Sequence, residues 1–175
     1  LSMPFALKPP HRPRVKDGQL VGVETLTQED CMIVTVKVGG AAPGRCGAFG
    51  SFDYQPGQHV VMLFDPDDAS DTMFVFASIS LIDPATDSIQ LALRRGVWPP
   101  IMRYLEAGLP VGTPVQIDGG HGDMLLPTPV ETRTAGLTDL VMIGLGTGFA
   151  AFMCMIRSLA GKPGPRITAV YGWNV

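Results

Sequence analysis

The chain has 175 residues, enough for one or two domains, and 46% of them are apolar, which is enough to bury a substantial core. Its formal net charge of −3 argues against a nucleic-acid-binding protein, which would normally present a basic patch. No apolar run approaches the ~18 uncharged residues of a transmembrane helix, and no signal peptide is evident. We therefore expect a soluble protein that binds neither nucleic acid nor the membrane interior.

Residues 1–18 are rich in proline and predict an extended N-terminal arm. Beyond the arm, apolar residues alternate with polar ones in short runs separated by Gly, Pro and Asp turns. A single helix follows Pro99-Pro100 and ends at Gly108. This order predicts an antiparallel barrel or sandwich over residues 19–128. Its predicted strands are Gln19–Thr25, Cys31–Val38, 59–64, Met73–Ser80, Ser88–Arg94 and Val115–Asp118.

Residues 138–175 follow a different pattern, in which an apolar strand, a glycine turn, an apolar helix and a second strand succeed one another. The two strands are expected to be parallel, with a right-handed crossover. The turn Gly146-Thr147-Gly148 leads directly into the helix, and backbone N–H groups at a helix start suit a phosphate. The alternative is a tight turn that binds no ligand.

The three cysteines are far apart and show no metal-ligand spacing: Cys31, Cys46 and Cys154. We expect free thiols in a reducing compartment and no metal site. Because the first residue is Leu1 rather than Met, we expect either a trimmed chain or a removed transit peptide. The cytoplasm and an organelle therefore both stay open as locations.

Three segments together resemble the ferredoxin–NADP reductase superfamily. Tyr54–Val60 contains a Pro-Gly-Gln strand entry, Leu109–Met124 contains Gly119-Gly120-His121-Gly122, and Gly144–Phe152 is similar to that family's nucleotide loop. The resemblance implies an FAD-binding β-barrel over residues 19–128. It also implies the start of an NAD(P)-binding α/β domain over 138–175, which would be incomplete.

The family's flavin-binding strand carries Arg-x-Tyr-Ser, and the corresponding strand here runs from Phe74 to Ser80 without an arginine. The resemblance implies that Phe76 stacks on the flavin ring, because stacking needs only a ring face. It implies that Ser78 supplies the catalytic hydroxyl near the reactive nitrogen, or that Ser80 does. The alternatives are barrel core for Phe76 and ordinary strand polarity for the serines.

The family's second flavin element is a glycine turn that starts a helix and holds the pyrophosphate. The resemblance places it at Gly96, where Pro99 and Pro100 remove two N–H donors. Arg94, followed by Arg95, can supply positive charge instead, and the alternative is a solvated strand end. Gly146, Thr147 and Gly148 would hold the pyrophosphate of the nicotinamide nucleotide.

Two functions follow from these features. The first is a flavin-dependent oxidoreductase that passes electrons between NAD(P)H and an acceptor through bound FAD. The second is a degenerate, non-catalytic subunit with a structural role in a larger complex, in which a protein partner completes the second domain. The missing arginine, the prolines in the donor turn and the short α/β region motivate the second.

Overall fold

The computed structural model describes residues 15–26, 31–39, 54–64, 73–95, 99–127 and 136–172. The predictions made for Cys46 and Gly96 lie outside these ranges.

Six antiparallel strands close into a barrel in the order β1-β2-β5-β4-β3-β6. The barrel is closed because β1 pairs with β2 on one side and with β6 on the other, which excludes the sandwich. One helix, α1 (Pro99–Glu106), connects β5 to β6. The strands are β1 (Val15–Leu26), β2 (Cys31–Val38), β3 (His59–Phe64), β4 (Met73–Asp83), β5 (Ser88–Arg94) and β6 (Pro114–His121).

The first strand begins earlier than the sequence pattern predicted. Val15–Gly18, assigned to the arm, pair with β6, and Val15 lies opposite Asp118. Gly18 also lies close to β2 on its other side, because a Cβ there would lie 3.0 Å from the carbonyl oxygen of Lys37. The barrel therefore includes the last residues of the predicted arm.

The core of the barrel consists of alternate side chains that point inward from every strand. Burying each large apolar side chain contributes about 1.5–3 kcal/mol, so these positions dominate the stability of the barrel. The largest fully buried residues are Leu20, Met32, Val34, Val36, Val60, Met62, Phe64, Ile79, Ile89, Leu91, Leu105 and Ile117.

An α/β unit follows the barrel, as predicted. It consists of β7 (Asp139–Leu145), a 3₁₀ turn (Gly146–Phe149), α2 (Ala150–Leu159) and β8 (Arg166–Gly172). The two strands are parallel. The helix was predicted to start near Phe149, and its first turn is instead a 3₁₀ turn that begins at Gly146.

Helix α2 packs against the barrel. Cys154 and Met155 are buried there, and Cys154 belongs to the same apolar cluster as the barrel core. The fit is tight at Gly57, where a Cβ would overlap the carbonyl oxygen of Met124 and the end of the Met155 side chain. Gly57 has a φ of +103°, so glycine is required at this turn for its conformation as well as its size.

The outer face of the β7–β8 sheet is apolar and exposed. Val141, Ile143 and Leu145 are 59%, 67% and 74% exposed, and Val170 lies beside Ile143 on the neighbouring strand. None of the helices in the described ranges has the length and apolar character needed to cross a bilayer.

Candidate functional site

The barrel and the α/β unit meet at Ser80, a bulge residue of β4. The β4–β5 register shifts between Ile79 and Leu81, so Ser80 has no counterpart on β5. Its hydroxyl donates a hydrogen bond to the carbonyl oxygen of Gln90, 3.1 Å away. Its own carbonyl oxygen accepts one from Nη1 of Arg157 on α2, also at 3.1 Å. Ser80 therefore fixes the position of α2 relative to β4 and β5.

The glycine turn after β7 is open on its outer side. Gly146 has a φ of +51°, and a Cβ at Gly146 or Gly148 would meet no atom within 4 Å. Gly144 differs, because its Cβ would lie 2.8 Å from the ring of Phe149. Gly144 thus serves the packing of the turn, whereas Gly146 and Gly148 leave space beside the start of α2.

A cavity of about 470 Å³ lies between this turn and the outer face of the barrel. Its volume falls within the range of about 300–1,000 Å³ that is typical of small-molecule sites. The lining is mostly apolar with a few polar groups, which is also typical of such sites. The lining residues are Glu24, Leu26, Cys31, Ile33, Ser80, Gln90, Ala92, Gly146, Thr147, Phe149, Ala150, Met153, Arg157 and Tyr171.

Three of the residues assigned from the sequence line this cavity: Ser80, Gly146 and Thr147. Gly148 lies in the same turn and is exposed. The cavity therefore brings together a candidate flavin-strand residue and the candidate nucleotide turn, which are more than 60 residues apart in the chain.

Two other assigned residues of the barrel, Ser78 and Arg94, pair with residues that line the cavity. Ser78 is half-buried and pairs with Ala92, and the exposed Arg94 pairs with Cys31; both partners line the cavity. Phe76 is 51% exposed, so it does not belong to the barrel core.

The strand that carries Phe76 departs from the family pattern at two positions. Phe74 stands where the pattern has arginine, and its ring meets Phe76 edge to face, with the centroids 5.9 Å apart. Ala77 stands where the pattern has serine, and its side chain is buried in the barrel. Any hydroxyl from this strand must therefore come from Ser78 or Ser80.

Of the two arginines at the end of β5, Arg95 is engaged with α1. Arg95 donates from Nε to Oε1 of Glu106 at 2.6 Å, and a second contact strengthens this ion pair. The pair ties the end of β5 to α1. Arg94 is thus the better placed of the two to serve a ligand.

The strand register places one row of side chains around the barrel, from β6 to β1. Each member lies opposite the next on the neighbouring strand, so the row connects the cavity to a pair of histidines. In order, the row is His121, His59, Ser78, Ala92, Ile33 and Glu24.

The two histidines form a small cluster with a buried carboxylate. Their ring centroids are 5.7 Å apart, and Nε2 of His121 lies 3.5 Å from Oδ1 of the buried Asp118. Within the described part of the chain, this Oδ1 accepts no hydrogen bond. Burial, and to a smaller extent the nearby His121, lower the pKa of His59 below its ordinary value, so its ring is neutral at neutral pH. The sequence did not predict this cluster, because His59 reaches Asp118 and His121 only through the β3–β6 register.

The two cysteines in the described ranges form no disulfide and are buried. Burial raises the pKa of the Cys154 thiol to about 11, although the neighbouring Arg157 opposes the shift. Cys31 lines the cavity. Cys154 is thus a protonated core residue at neutral pH.

Solved structures with the same arrangement are known. The chain aligns with the Amycolatopsis cytochrome P450 reductase GcoB at a TM-score of 0.67 and 22% identity, over 93% of this chain and 44% of that one. It aligns with Plasmodium falciparum ferredoxin–NADP⁺ reductase in complex with 2′P-AMP at a TM-score of 0.66 and 14% identity, over 91% and 60%. It aligns with the flavohem-like FAD/NAD-binding domain of nitric oxide dioxygenase from Vibrio cholerae at a TM-score of 0.64 and 18% identity, over 91% of this chain and 63% of that one.

The chain spans less than two thirds of the length of each of these proteins. No family model and no curated protein matches its sequence. At these identities the likeness establishes the fold, and the chain has the fold of the ferredoxin–NADP reductase-type proteins. The fold predicted from the three sequence segments is therefore confirmed.

Proposed function

We propose that this chain forms the flavin-binding part and the first nucleotide-binding segment of an oxidoreductase that passes electrons between NAD(P)H and an acceptor through bound FAD. The cavity supports this proposal, because it joins the Ser80 bulge of the barrel to the glycine turn at Gly146 and Thr147. A donor and an acceptor of electrons must lie side by side, and this cavity is bounded by both candidate binding elements.

The residues present fit a flavin ring. The cavity offers an apolar wall of Leu26, Ile33, Ala92 and Met153 for a flat ring system. Phe76, two residues before Ser78 on β4, adds an exposed aromatic face, and Ser78, beside Ala92, would supply the hydroxyl. When bound, the flavin supplies the electron-transfer chemistry, and the protein binds and orients it.

The phosphate groups would be held at two places. The open cradle of Gly146, Thr147 and Gly148 beside the start of α2 suits the pyrophosphate of the nicotinamide nucleotide, because the first N–H groups of a helix lack intrahelical partners. Arg94 at the end of β5 would supply positive charge to the flavin phosphate.

The test is titration of the purified chain with FAD and with FMN, followed by flavin absorbance and by quenching of flavin fluorescence. We expect saturable binding of FAD and perturbed flavin absorbance, since the ring would leave water for an apolar site. A chain that is purified colourless and takes up neither flavin would refute the proposal.

The apolar face of the β7–β8 sheet favours a second candidate, a structural subunit of a larger assembly. Val141, Ile143 and Leu145 form a continuous exposed stripe, and parallel sheets are normally covered on both faces. In this candidate a protein partner covers the stripe and no electron transfer occurs. Size-exclusion chromatography at several concentrations distinguishes the two, because a monodisperse monomer that binds FAD contradicts the structural role.

A further inference from the structure

Three polar residues of the cavity are joined by hydrogen bonds. Ser80, Gln90 and Arg157 form a connected set, in which Arg157 donates to the carbonyl oxygen of Ser80 and Ser80 donates to that of Gln90. All three line the cavity. Among the described residues that line it, Arg157 carries the single positive charge and Glu24 the single negative charge.

These two charges lie on different sides of the cavity. Glu24 is on β1, which is two strands away from β5 in the barrel order. Neighbouring strands are about 4.8 Å apart, so Glu24 lies roughly 10 Å from the strand that carries Gln90. The Ser80–Gln90–Arg157 end is thus polar and positive, and the stretch of wall between Gln90 and Glu24 is formed by Ile33 and Ala92.

The guanidinium of Arg157 is already held in place. One of its five N–H groups is used by the carbonyl oxygen of Ser80, and the planar fork fixes the directions of the others. Gln90 is held as well, because its main chain is part of the β5 ladder and its carbonyl oxygen accepts from Ser80. Its side-chain amide offers one acceptor and two donors to the cavity.

A flavin ring has matching chemistry at its two ends. Its pyrimidine edge presents two carbonyl acceptors on either side of an N–H donor, and its opposite end is an apolar dimethylbenzene. Uptake of two electrons and one proton leaves the ring with one negative charge, which spreads over N1 and the adjacent C2 oxygen. Protein charge near N1 is one of the means by which a flavoprotein tunes its cofactor.

Building on the proposed function, we propose that Arg157 and Gln90 bind the pyrimidine edge of the flavin ring, and that Arg157 favours its reduced, anionic form. Gln90 accepts a hydrogen bond from the ring N–H and donates to a ring carbonyl. Arg157 contacts the C2 oxygen, which gains charge on reduction. The residue thus sets the reduction potential, in addition to connecting α2 to β4.

The test uses lumiflavin, a flavin ring without ribityl phosphate, so that contacts to phosphate cannot contribute. Dissociation constants are measured for oxidised lumiflavin and, under anaerobic conditions with dithionite, for the reduced form. In Arg157→Gln we expect the constant for the reduced form to rise about tenfold more than that for the oxidised form. That ratio corresponds to a potential lower by about 30 mV for a two-electron couple.

Two further variants separate binding from a structural role. Arg157→Lys keeps the charge and should restore part of the preference for reduced lumiflavin. If only the contact with Ser80 mattered, its loss would weaken the binding of oxidised and reduced lumiflavin equally. Arg103→Gln, an exposed arginine on α1 that does not line the cavity, is the matched control and should change neither constant. A melting temperature for each variant verifies that it is folded.

A modified ligand tests Gln90 directly. Methylation at ring N3 removes the N–H donor, so the wild type should bind 3-methyl-lumiflavin less tightly than lumiflavin, and Gln90→Leu should lose this discrimination. If Arg157→Gln changes the dissociation constants of oxidised and reduced lumiflavin equally, or changes neither, the inference is overturned and the proposed function stays intact. If the variants weaken the binding of reduced nicotinamide mononucleotide but not that of lumiflavin, the assignment of the flavin to the Ser80–Gln90–Arg157 end of the cavity is wrong. If the wild type binds no flavin, both the proposed function and this inference are refuted.

Discussion

Arg157 on α2 donates a hydrogen bond to the main-chain carbonyl oxygen of Ser80 on β4, 3.1 Å away, across a separation of 77 residues. The contact joins the barrel to the α/β unit at the polar end of the cavity. Both halves of the candidate site therefore depend on the β4 bulge for their relative position.

The hydroxyl of Ser80 stabilises that bulge. In Ser80→Ala the hydrogen bond to the Gln90 carbonyl is lost at a buried position, and we expect the free energy of unfolding to fall by about 1 kcal/mol. Urea denaturation measures the change. Ser158→Ala is the control, because the Ser158 hydroxyl bonds only to the carbonyl of Met155 within its own helix, where alanine is a better helix former. An equal loss in both variants would contradict the bulge role.

Gly57 is the position at which the docking of α2 tolerates no side chain. Gly57→Ala adds a Cβ that overlaps the Met124 carbonyl, and it also places alanine at positive φ, so we expect a loss of about 2–4 kcal/mol. Gly108→Ala separates the two causes, because Gly108 has a φ of +79° but open space around its Cβ position. It should cost about 1 kcal/mol, and thermal and urea unfolding of both variants gives the comparison.

The open cradle of the glycine turn predicts a binding defect without loss of stability. Gly148→Glu places a carboxylate beside the start of α2, where no atom obstructs it, so we expect an unchanged melting temperature. The affinity for NADH or NADPH should fall about tenfold or more, because the carboxylate occupies the cradle and repels phosphate. Gly164→Glu adds the same charge at an equally open position before β8 and should leave the affinity unchanged. Calorimetric titration decides between these outcomes.

The lowered pKa of His59 makes stability depend on pH. The folded state favours the neutral ring of His59. Its contribution to the free energy of unfolding is therefore complete above pH 6.5, the ordinary pKa of histidine, and is lost as the pH falls through the lowered folded-state pKa. His59→Gln should flatten the slope of the unfolding free energy against pH as the pH falls below 6.5. His121→Gln removes the smaller cause and should raise the pKa of His59 part of the way, which NMR titration of the imidazole measures. A His59 pKa at or above its ordinary value would refute this account.

Cys154 should be unreactive in the folded protein. Because its pKa is raised from 9.0 to about 11, the thiol stays protonated at about pH 8, and its contribution to stability is lost only as the pH rises from 9 towards 11. We expect iodoacetamide to modify Cys154 only after denaturant is added, as peptide mass mapping shows. Arg157→Gln removes the opposing positive charge and should raise this pKa further.

Much of the fold was visible in the sequence, because the period-two alternation on strands such as β2 and β5 requires only local information. The pattern could not decide between barrel and sandwich. That decision depends on the pairing of β1 with β6, two strands far apart in the chain. The three sequence motifs favoured the barrel over the sandwich, because they resemble a family whose flavin-binding domain is a barrel.

The site was less visible than the fold. The glycine turn and Ser80 were proposed as binding elements only through the resemblance, and the structure brings both to one cavity. Arg157 carried no signal, because an arginine near the end of an apolar helix is commonly a solvated residue. Its importance arises from the β4 bulge, and a register shift between two strands leaves no mark in either strand's sequence.

Closure of the barrel by β1 and β6 has a consequence for synthesis. One backbone edge of β1 stays unpaired until β6 is synthesised, because Val15 pairs with Asp118, about 100 residues later in the chain. During translation β1 therefore leaves the ribosome with an open backbone edge that other nascent chains can join. The interval ends only when the last barrel strand has emerged, so slow elongation before residue 121 would favour misassembly.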